Sequence, residues 1–499
     1  MASRAVLLAL LCVALSGTLT AAAPCVKHFP DASDQTTFMC VCTESSCDDI
    51  EDLGDNEGMA LYTTSLDGDR LTKAAVDGNG TSADVTLSLD TSKTEQTIIG
   101  FGGAMTDATV INLNRLKSDL LRQQIIKGYF GVNGLRYNLI RIPIASCDFS
   151  TREYSYLDTP NDWNLQSFAL VNEDTWKIDF TKQAMSYSNA TQVLSSPWSA
   201  PAWMKSNGHM RGGGTLKDGA QYSQTYAQYL ASTLPAMVNV QAERDFLRDY
   251  LSPALLNSPS AKATQILIHD HNRPQLQDYA DNILSDPDAE KLVAGIAIHW
   301  YEDNGTDPMI LTNVSLKHPR QFMLYTESCI EGGTRPGVFA GAFRYANNIL
   351  EDLTHRVAGW VDWNLVLNMQ GGPNWVANYV DSPILIADTN DAFYRQPMFY
   401  AMGHFSRFIA RGATRVGLDV SSSAVQAGAF LNPDKSVVVV IINNSPNLVQ
   451  AAIGNHTVAI KASSINTLYF KDESYVGKIA AQMSLLVAIV AVLLHQVVI

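Results

Sequence analysis

Between Phe322 and Cys329 the chain reads Phe-Met-Leu-Tyr-Thr-Glu-Ser-Cys, an apolar run that ends on one carboxylate, Glu327. Other apolar runs stop in the same way on polar or aromatic residues: Arg141, Trp198 with Ser199, Asp270, His299-Trp300-Tyr301 and Asp362-Trp363-Asn364. Carboxylates beside tryptophans suit sugar chemistry, because an indole face stacks on the apolar C–H face of a pyranose while Asp, Asn and Arg bond its hydroxyls. Glycoside hydrolysis with retention needs two carboxyl groups about 5 Å apart, one a nucleophile and the other an acid/base. Glu327 fits the nucleophile, with Tyr301 as a neighbour able to orient it. The stacking candidates are Trp198, Trp300, Trp363 and Trp375. A single tryptophan is more often core, but four of the eight fall at strand ends, which favours binding. Taken singly, Asp148 and Asp362 read as loop caps or ion-pair members, and His299 as a satisfied buried histidine.

These residues need a scaffold that gathers strand ends. From about Thr97 to Phe408 apolar runs alternate with amphipathic helical stretches, the pattern of βα units around a parallel sheet. Seven runs are clear: Thr97-Ile-Ile-Gly, Gly134-Leu-Arg-Tyr-Asn-Leu-Ile-Arg-Ile, Gln192-Val-Leu-Ser-Ser, Gln265-Ile-Leu-Ile, Ala294-Gly-Ile-Ala-Ile, Gln321-Phe-Met-Leu-Tyr and Arg356-Val-Ala-Gly-Trp-Val. In a (β/α)8 barrel the loops at the carboxyl ends of the strands build the active site, which is where the polar and aromatic residues fall. The fold requires an eighth strand. The longest interval, Ser196 to Gln265, holds two helical stretches with only Pro235-Ala-Met-Val-Asn-Val240 between them, a rudimentary strand followed by no acid-bearing loop. The expectation is a TIM barrel lacking strand 4. Both chain ends are β-rich, with Ser436-Val-Val-Val-Val-Ile-Ile442 the clearest strand, and are expected to join in one β-sandwich.

Composition bounds the rest. The 499 residues are 46% hydrophobic and 17% charged, which excludes a disordered chain, and a formal charge of -14 argues against nucleic acid as a partner. Apolar Ala5 to Leu15 followed by Thr20-Ala-Ala-Ala23 reads as a secretory signal peptide over 1–23. Four of the remaining cysteines, Cys25, Cys40, Cys42 and Cys47, crowd one segment, and with no histidine spacing to complete a zinc site they read as two disulfides. Cys147 and Cys329 stand apart and are expected free unless the fold joins them. Sequons at Asn79, Asn189, Asn304, Asn313, Asn443 and Asn455 agree with secretion. The apolar stretch 479–499 suits either a GPI-attachment signal or a transmembrane tail. The expected organisation is a cysteine-rich segment at 24–59, sandwich strands at 60–96, barrel at 97–408, and the remaining sandwich strands at 409–474.

From Phe101 to Phe470 the chain resembles the lysosomal glucosylceramidases (acid β-glucosidases) of glycoside hydrolase family 30. The motifs that carry the likeness are Phe101-Gly-Gly-Ala-Met-Thr-Asp107, Arg141-Ile-Pro-Ile-Ala-Ser-Cys-Asp-Phe149, Ser196-Pro-Trp-Ser-Ala-Pro-Ala-Trp203, His299-Trp-Tyr301, Thr326-Glu-Ser-Cys329, Gly359-Trp-Val-Asp-Trp-Asn364, Gly371-Gly-Pro-Asn-Trp375 and Asp381-Ser-Pro-Ile384. The resemblance implies a β-glucosidase that cleaves glucosylceramide to glucose and ceramide without metal or cofactor. It implies Glu327 as nucleophile, Asp148, Trp198, Tyr301, Asp362, Trp363 and Asn378 around the glucose, and disulfides Cys25–Cys40 and Cys42–Cys47. A saposin-type activator, a membrane surface, and a place in the lysosome or on the outer face of a membrane are implied as well.

One departure matters more than the matches. The family's acid/base is the Glu of an Asn-Glu-Pro motif ending the fourth strand, and this sequence has no such motif. Between Asp174 and Ala289 the one glutamate is Glu243, in the ordinary helical context of Arg244-Asp-Phe246. The chain is therefore expected to hold a nucleophile without its acid. Either it is an incomplete form of a working retaining β-glucosidase, or it is a non-catalytic protein that binds glucosides or glycolipids.

Overall fold

The computed structural model describes residues 23–50, 53, 58–76, 82–233, 237–240 and 244–471. Eight parallel strands close a barrel: β1 (Gly100–Ala104), β2 (Leu139–Ile144), β3 (Gln192–Pro197), β4 (Met237–Val240), β5 (Gln265–Asn272), β6 (Val293–His299), β7 (Phe322–Glu327) and β8 (Gly359–Asn364). Apolar runs become strands here because both faces are covered, one by the barrel interior and the other by helices. All six residues of β2 are buried. One inward layer consists of Leu139, Leu194, Leu267, Ala297, Leu324 and Val361, one residue from each of six strands.

The gap expected at the fourth position is filled. Met237–Val240 pairs with β3 at Leu194 and Ser195, and with β5 over Gln265 to Ile268. A missing strand would leave the edges of β3 and β5 unpaired, and even four residues of Met-Val-Asn-Val satisfy them. Met237–Val240 thus takes the fourth place in a closed barrel as a very short strand. Glu243 lies outside the described residues.

Strands from both chain ends form one nine-stranded sheet, in the order His456–Ile460, Val449–Ile453, Val85–Thr97, Thr414–Val420, Gln426–Leu431, Ser436–Asn443, Ser464–Lys471, Ala60–Ser65 and Thr72–Ala75. It encloses its own aliphatic core, including Leu87, Val416, Val439, Ile441 and Leu468. The helix Pro397–Ser406 joins it to the barrel. From that helix the buried His404 bonds Thr467 and Thr64 of the sheet, each at 2.9 Å.

A third, five-stranded sheet was not foreseen. Lys27–His28 and Met39–Cys42 pair with Phe393–Arg395, which continues through Ile384–Ile386 to Leu367–Asn368. Disulfides Cys25–Cys40 and Cys42–Cys47 staple its edge, while Cys147 and Cys329 are free and buried. Among the described residues the one group with metal-ligand spacing is Cys42, Cys47 and Asp48, and its two cysteines are a disulfide.

Of the sequons, Asn189, Asn304, Asn313 and Asn455 are exposed, and Asn79 lies outside the described residues. Asn443 is a correction. It is fully buried, and its amide nitrogen donates to the carbonyls of Asn447 and Lys461 at 2.8 and 2.9 Å, so it offers no acceptor for a glycan. The signal peptide and the tail at 479–499 lie outside the described residues. No described helix is long and apolar enough to cross a membrane.

Candidate active site

Alternation along the strands explains which side chains reach the barrel mouth. Successive strand residues point to opposite faces, so the positions two beyond the inward aliphatic layer also face inward. Those positions are Arg141, Ser196, His299, Thr326 and Trp363, which form a polar, aromatic floor above an apolar plug.

Two irregularities add carboxylates to that floor. In β5 the register shifts between His269 and His271, where His269 and Asp270 have φ of 81° and 47°. Such left-handed residues bulge the strand, and the bulge turns Asp270 into the mouth. A second shift between β6 and β7, at Ile298/His299, sets Glu327 opposite His299.

Arg141 is the hub. Its guanidinium, 1% exposed, donates through Nη1 to Glu327 Oε2 and through Nη2 to Asp270 Oδ2 at 2.9 Å. Tyr301 donates its hydroxyl to Glu327 Oε1 at 2.9 Å and stands 3.3 Å from Cys329 Sγ. Asp270 also accepts from Ser196 and Thr326 and pairs with His299 Nε2 at 2.9 Å. Burial alone would raise the Asp270 carboxyl, but Arg141, His299 and the Ser196 hydroxyl outweigh it and hold it well below the usual carboxylate range. Burial, reinforced by Cys329 and Glu327, pushes the Tyr301 phenol well above its ordinary value, so it remains a donor. Both oxygens of Glu327 are thereby held by fixed donors, a preorganised carboxylate at the end of a strand.

Trp198 and Trp363 flank Arg141. Their rings stack at 5.0 Å with 14° between planes, and the guanidinium lies 5.0 and 5.1 Å from the two centroids. Trp363 is buried, whereas Trp198 is 36% exposed and presents the open aromatic surface. Across the mouth, Asn378 donates to Asp148 Oδ2 at 3.0 Å. Burial, then the charge of Glu327, pushes the Asp148 carboxyl up to about 7.

Two sequence-selected residues are not in the mouth, and alternation gives the reason for both. Trp300 lies between the inward-facing His299 and Tyr301 and points out of the barrel. It donates Nε1 to the Cys329 carbonyl at 2.9 Å and packs edge-on against Tyr345 and Trp360. Asp362, next to the inward Trp363, is fully buried behind the strand and accepts from the Tyr345 hydroxyl at 2.7 Å. Burial pushes its carboxyl well above the ordinary value. Neither a stacking role for Trp300 nor a glucose contact for Asp362 fits this placement. Trp375 is at the mouth, but Arg211 covers one face at 4.8 Å.

The model described as Glycosyl hydrolase family 30 TIM-barrel domain matches residues 98–240 and 236–409. The companion model, Glycosyl hydrolase family 30 beta sandwich domain, matches 412–468. The chain belongs to glycosyl hydrolase family 30. Among curated relatives, Putative glucosylceramidase 3 of Caenorhabditis elegans is 39% identical over 485 residues, covering 87% of this chain and 92% of the relative. Lysosomal acid glucosylceramidase of Mus musculus is 38% identical over 479 residues, with the same coverage of 87% and 92%. The crystal structure of SrfJ from Salmonella typhimurium aligns at TM-score 0.77 and 26% identity over 83% of this chain and 100% of that one. A chain of this family is a glycoside hydrolase. The barrel model matches in two stretches that meet at 236–240, the same place as the very short β4.

Sequence reasoning marked Arg141 and Asp270 as strand ends without giving them a task. The signal for Arg141 was available, since it lies two residues beyond an inward leucine on a strand buried on both faces. The position of Asp270 depends on the bulge, which no periodicity announces.

Proposed function

We propose that the mouth binds the glucose of a β-glucoside and that Glu327 attacks its anomeric carbon, the first half of retaining hydrolysis of glucosylceramide to glucose and ceramide. The observation that carries this is the fixing of both Glu327 oxygens by Arg141 and Tyr301. Trp198 offers the sugar an aromatic face, and Asp148 with Asn378 the hydroxyl ligands. The two curated relatives named glucosylceramidase support the substrate class.

The second half-site is the difficulty. Without Asn-Glu-Pro, the sequence lacks the motif whose glutamate the resemblance implies as the proton donor to the leaving oxygen, and general acid assistance is worth about 10²–10⁴-fold. Ceramide, a poor leaving group, is therefore expelled slowly by this chain, whereas an activated phenol needs no proton. Glucosyl-Glu327 forms from an activated glucoside and then persists, because water has no general base to activate it. The acid-bearing segment restored between Leu234 and Glu243 gives a full glucosylceramidase, active at an acidic surface in the lysosome or on the outer face of a membrane, with an anionic lipid surface or a saposin-type activator assisting.

The test is 2,4-dinitrophenyl β-glucoside mixed with the full chain. One equivalent of dinitrophenolate should appear in a burst, a glucosyl adduct should be found on the Glu327 peptide, and azide should accelerate turnover to β-glucosyl azide. A protein that binds the glucoside but gives neither burst nor adduct is instead a glucoside-binding protein, and the nucleophile assignment is wrong.

A further inference from the structure

The loop after β3 carries a feature that the proposed chemistry does not use. Residues 205–216 form a braced hairpin: Lys205 and Leu216 make an antiparallel bridge, Ser206 N–H donates to the Thr215 carbonyl at 2.8 Å, and Asn207 Nδ2 donates to the Arg211 carbonyl at 2.7 Å. A Cβ on Gly214 would meet the Asn207 side chain at 2.2 Å, so a larger residue there would push Asn207 off its bond to Arg211. Its tip reaches two other loops. Met210 N–H donates to Glu153 Oε1 at 3.1 Å, and Arg211 Nε stands 3.8 Å from Glu153 Oε2, on the loop after β2. The Arg211 guanidinium caps Trp375, on the loop after β8. Trp375 is itself fixed, donating Nε1 to the Cys147 carbonyl at 2.7 Å and its amide to the Asp148 carbonyl at 3.3 Å.

We propose that Arg211 is a specificity-determining residue: by pinning three loops together it walls off the glucose end of the cleft, so that the site accepts a terminal glucose and excludes a second sugar attached to it. This rests on the proposed function, which sets the glucose against Asp148 and Asn378. Those two ligands stand on the same β2 and β8 loops that Arg211 joins. A sugar linked to the far hydroxyls of that glucose needs the space beside Trp375, and an aromatic face capped by guanidinium is unavailable for stacking. The restriction is steric and depends on one side chain, so truncating that side chain should release it.

The experiment compares dinitrophenolate bursts from 2,4-dinitrophenyl β-glucoside, β-cellobioside and β-gentiobioside, using the full chain and its R211A, R211K and E153Q variants. Arg211 and Glu153 lie at the surface, so the variants should fold, and circular dichroism checks that they do. The unmodified chain should react with the glucoside alone. In R211A the rate on one disaccharide relative to the glucoside should rise about tenfold or more, the scale of discrimination that a single shaped pocket contact provides. R211K should restore the restriction in part, and E153Q should fall between. A glucoside burst with no gain for either disaccharide in R211A overturns the role of Arg211 alone, as does a disaccharide burst from the unmodified chain. No burst from the glucoside in any form overturns both this inference and the function beneath it.

Discussion

Replacing Arg141 by methionine tests the hub of the mouth. Its two nitrogens hold Glu327 and Asp270, so one planar guanidinium brings the two carboxylates close, a spacing taken as about 5 Å for the Coulomb sum. With the cation gone, two negative charges at that separation repel by about 3 kcal/mol at an effective dielectric near 20. Removing one partner from a buried ion pair costs about 3–5 kcal/mol for the same reason. That repulsion lets the pair retain one proton more readily than when the cation stands between them. Two readouts follow. The melting temperature should fall by about 3–5 °C near neutrality, and by less in acid, where the shared proton relieves the repulsion. The dinitrophenolate burst should lose its acid-side rate, its rising limb moving to higher pH. A second change, D270N, removes the competing charge, and R141M/D270N should recover much of the stability and return the limb toward its original place. An R141M burst profile that superimposes on the parent would refute the view that Arg141 keeps Glu327 available. Additive effects of R141M and D270N would refute the coupling.

Two other predictions follow from the same geometry. Asp148 titrates at about 7 in the fold against about 3.9 in an unfolded chain. Its folded value is raised, so its contribution to stability is fully present below about pH 4 and is lost as the pH rises toward 7, at up to about 1.4 kcal/mol per pH unit. D148N should therefore melt higher than the parent at pH 7 and flatten the pH dependence of melting, while weakening glucoside binding by removing a hydroxyl ligand; calorimetry and glucoside titration check both. The Cys25–Cys40 bridge closes a loop of 15 residues, worth about 3 kcal/mol by chain entropy, so C25S/C40S should lower the melting temperature, and an unchanged melt would mean that the five-stranded sheet holds without its staple.

What the sequence could and could not reveal follows from how each residue is placed. Arg141 and Trp198 were legible because alternation from Leu139 and Leu194 carries them inward to the mouth, whereas Glu327, legible as a carboxylate ending an apolar run, sits one residue off that parity and is set there by the register shift beside His299. The same rule, taken one step further, separates His299 and Tyr301 from Trp300, and Trp363 from Asp362: alternation sends the odd member of each pair outward against Tyr345. Judging by proximity to a strand end, without parity, put the core Trp300 among the stacking candidates, while the resemblance alone set the buried Asp362 around the glucose. Asp270 was of another kind. By parity its place belongs to His269, and only two consecutive left-handed residues exchange them, a backbone event written in no hydrophobic pattern. The fourth strand failed for a third reason. Met-Val-Asn-Val has the chemistry of a strand but too few residues to announce one, and what makes it a strand is the unpaired edges of its neighbours on either side. Closure at that point keeps the seven other strand ends converged, so Glu327, Arg141 and Tyr301 retain their mutual geometry even where the strand that bears the acid in this family is cut to four residues. The proposed nucleophile and the absence of Asn-Glu-Pro from the sequence are therefore compatible in one folded chain, and that combination is what the azide experiment would expose.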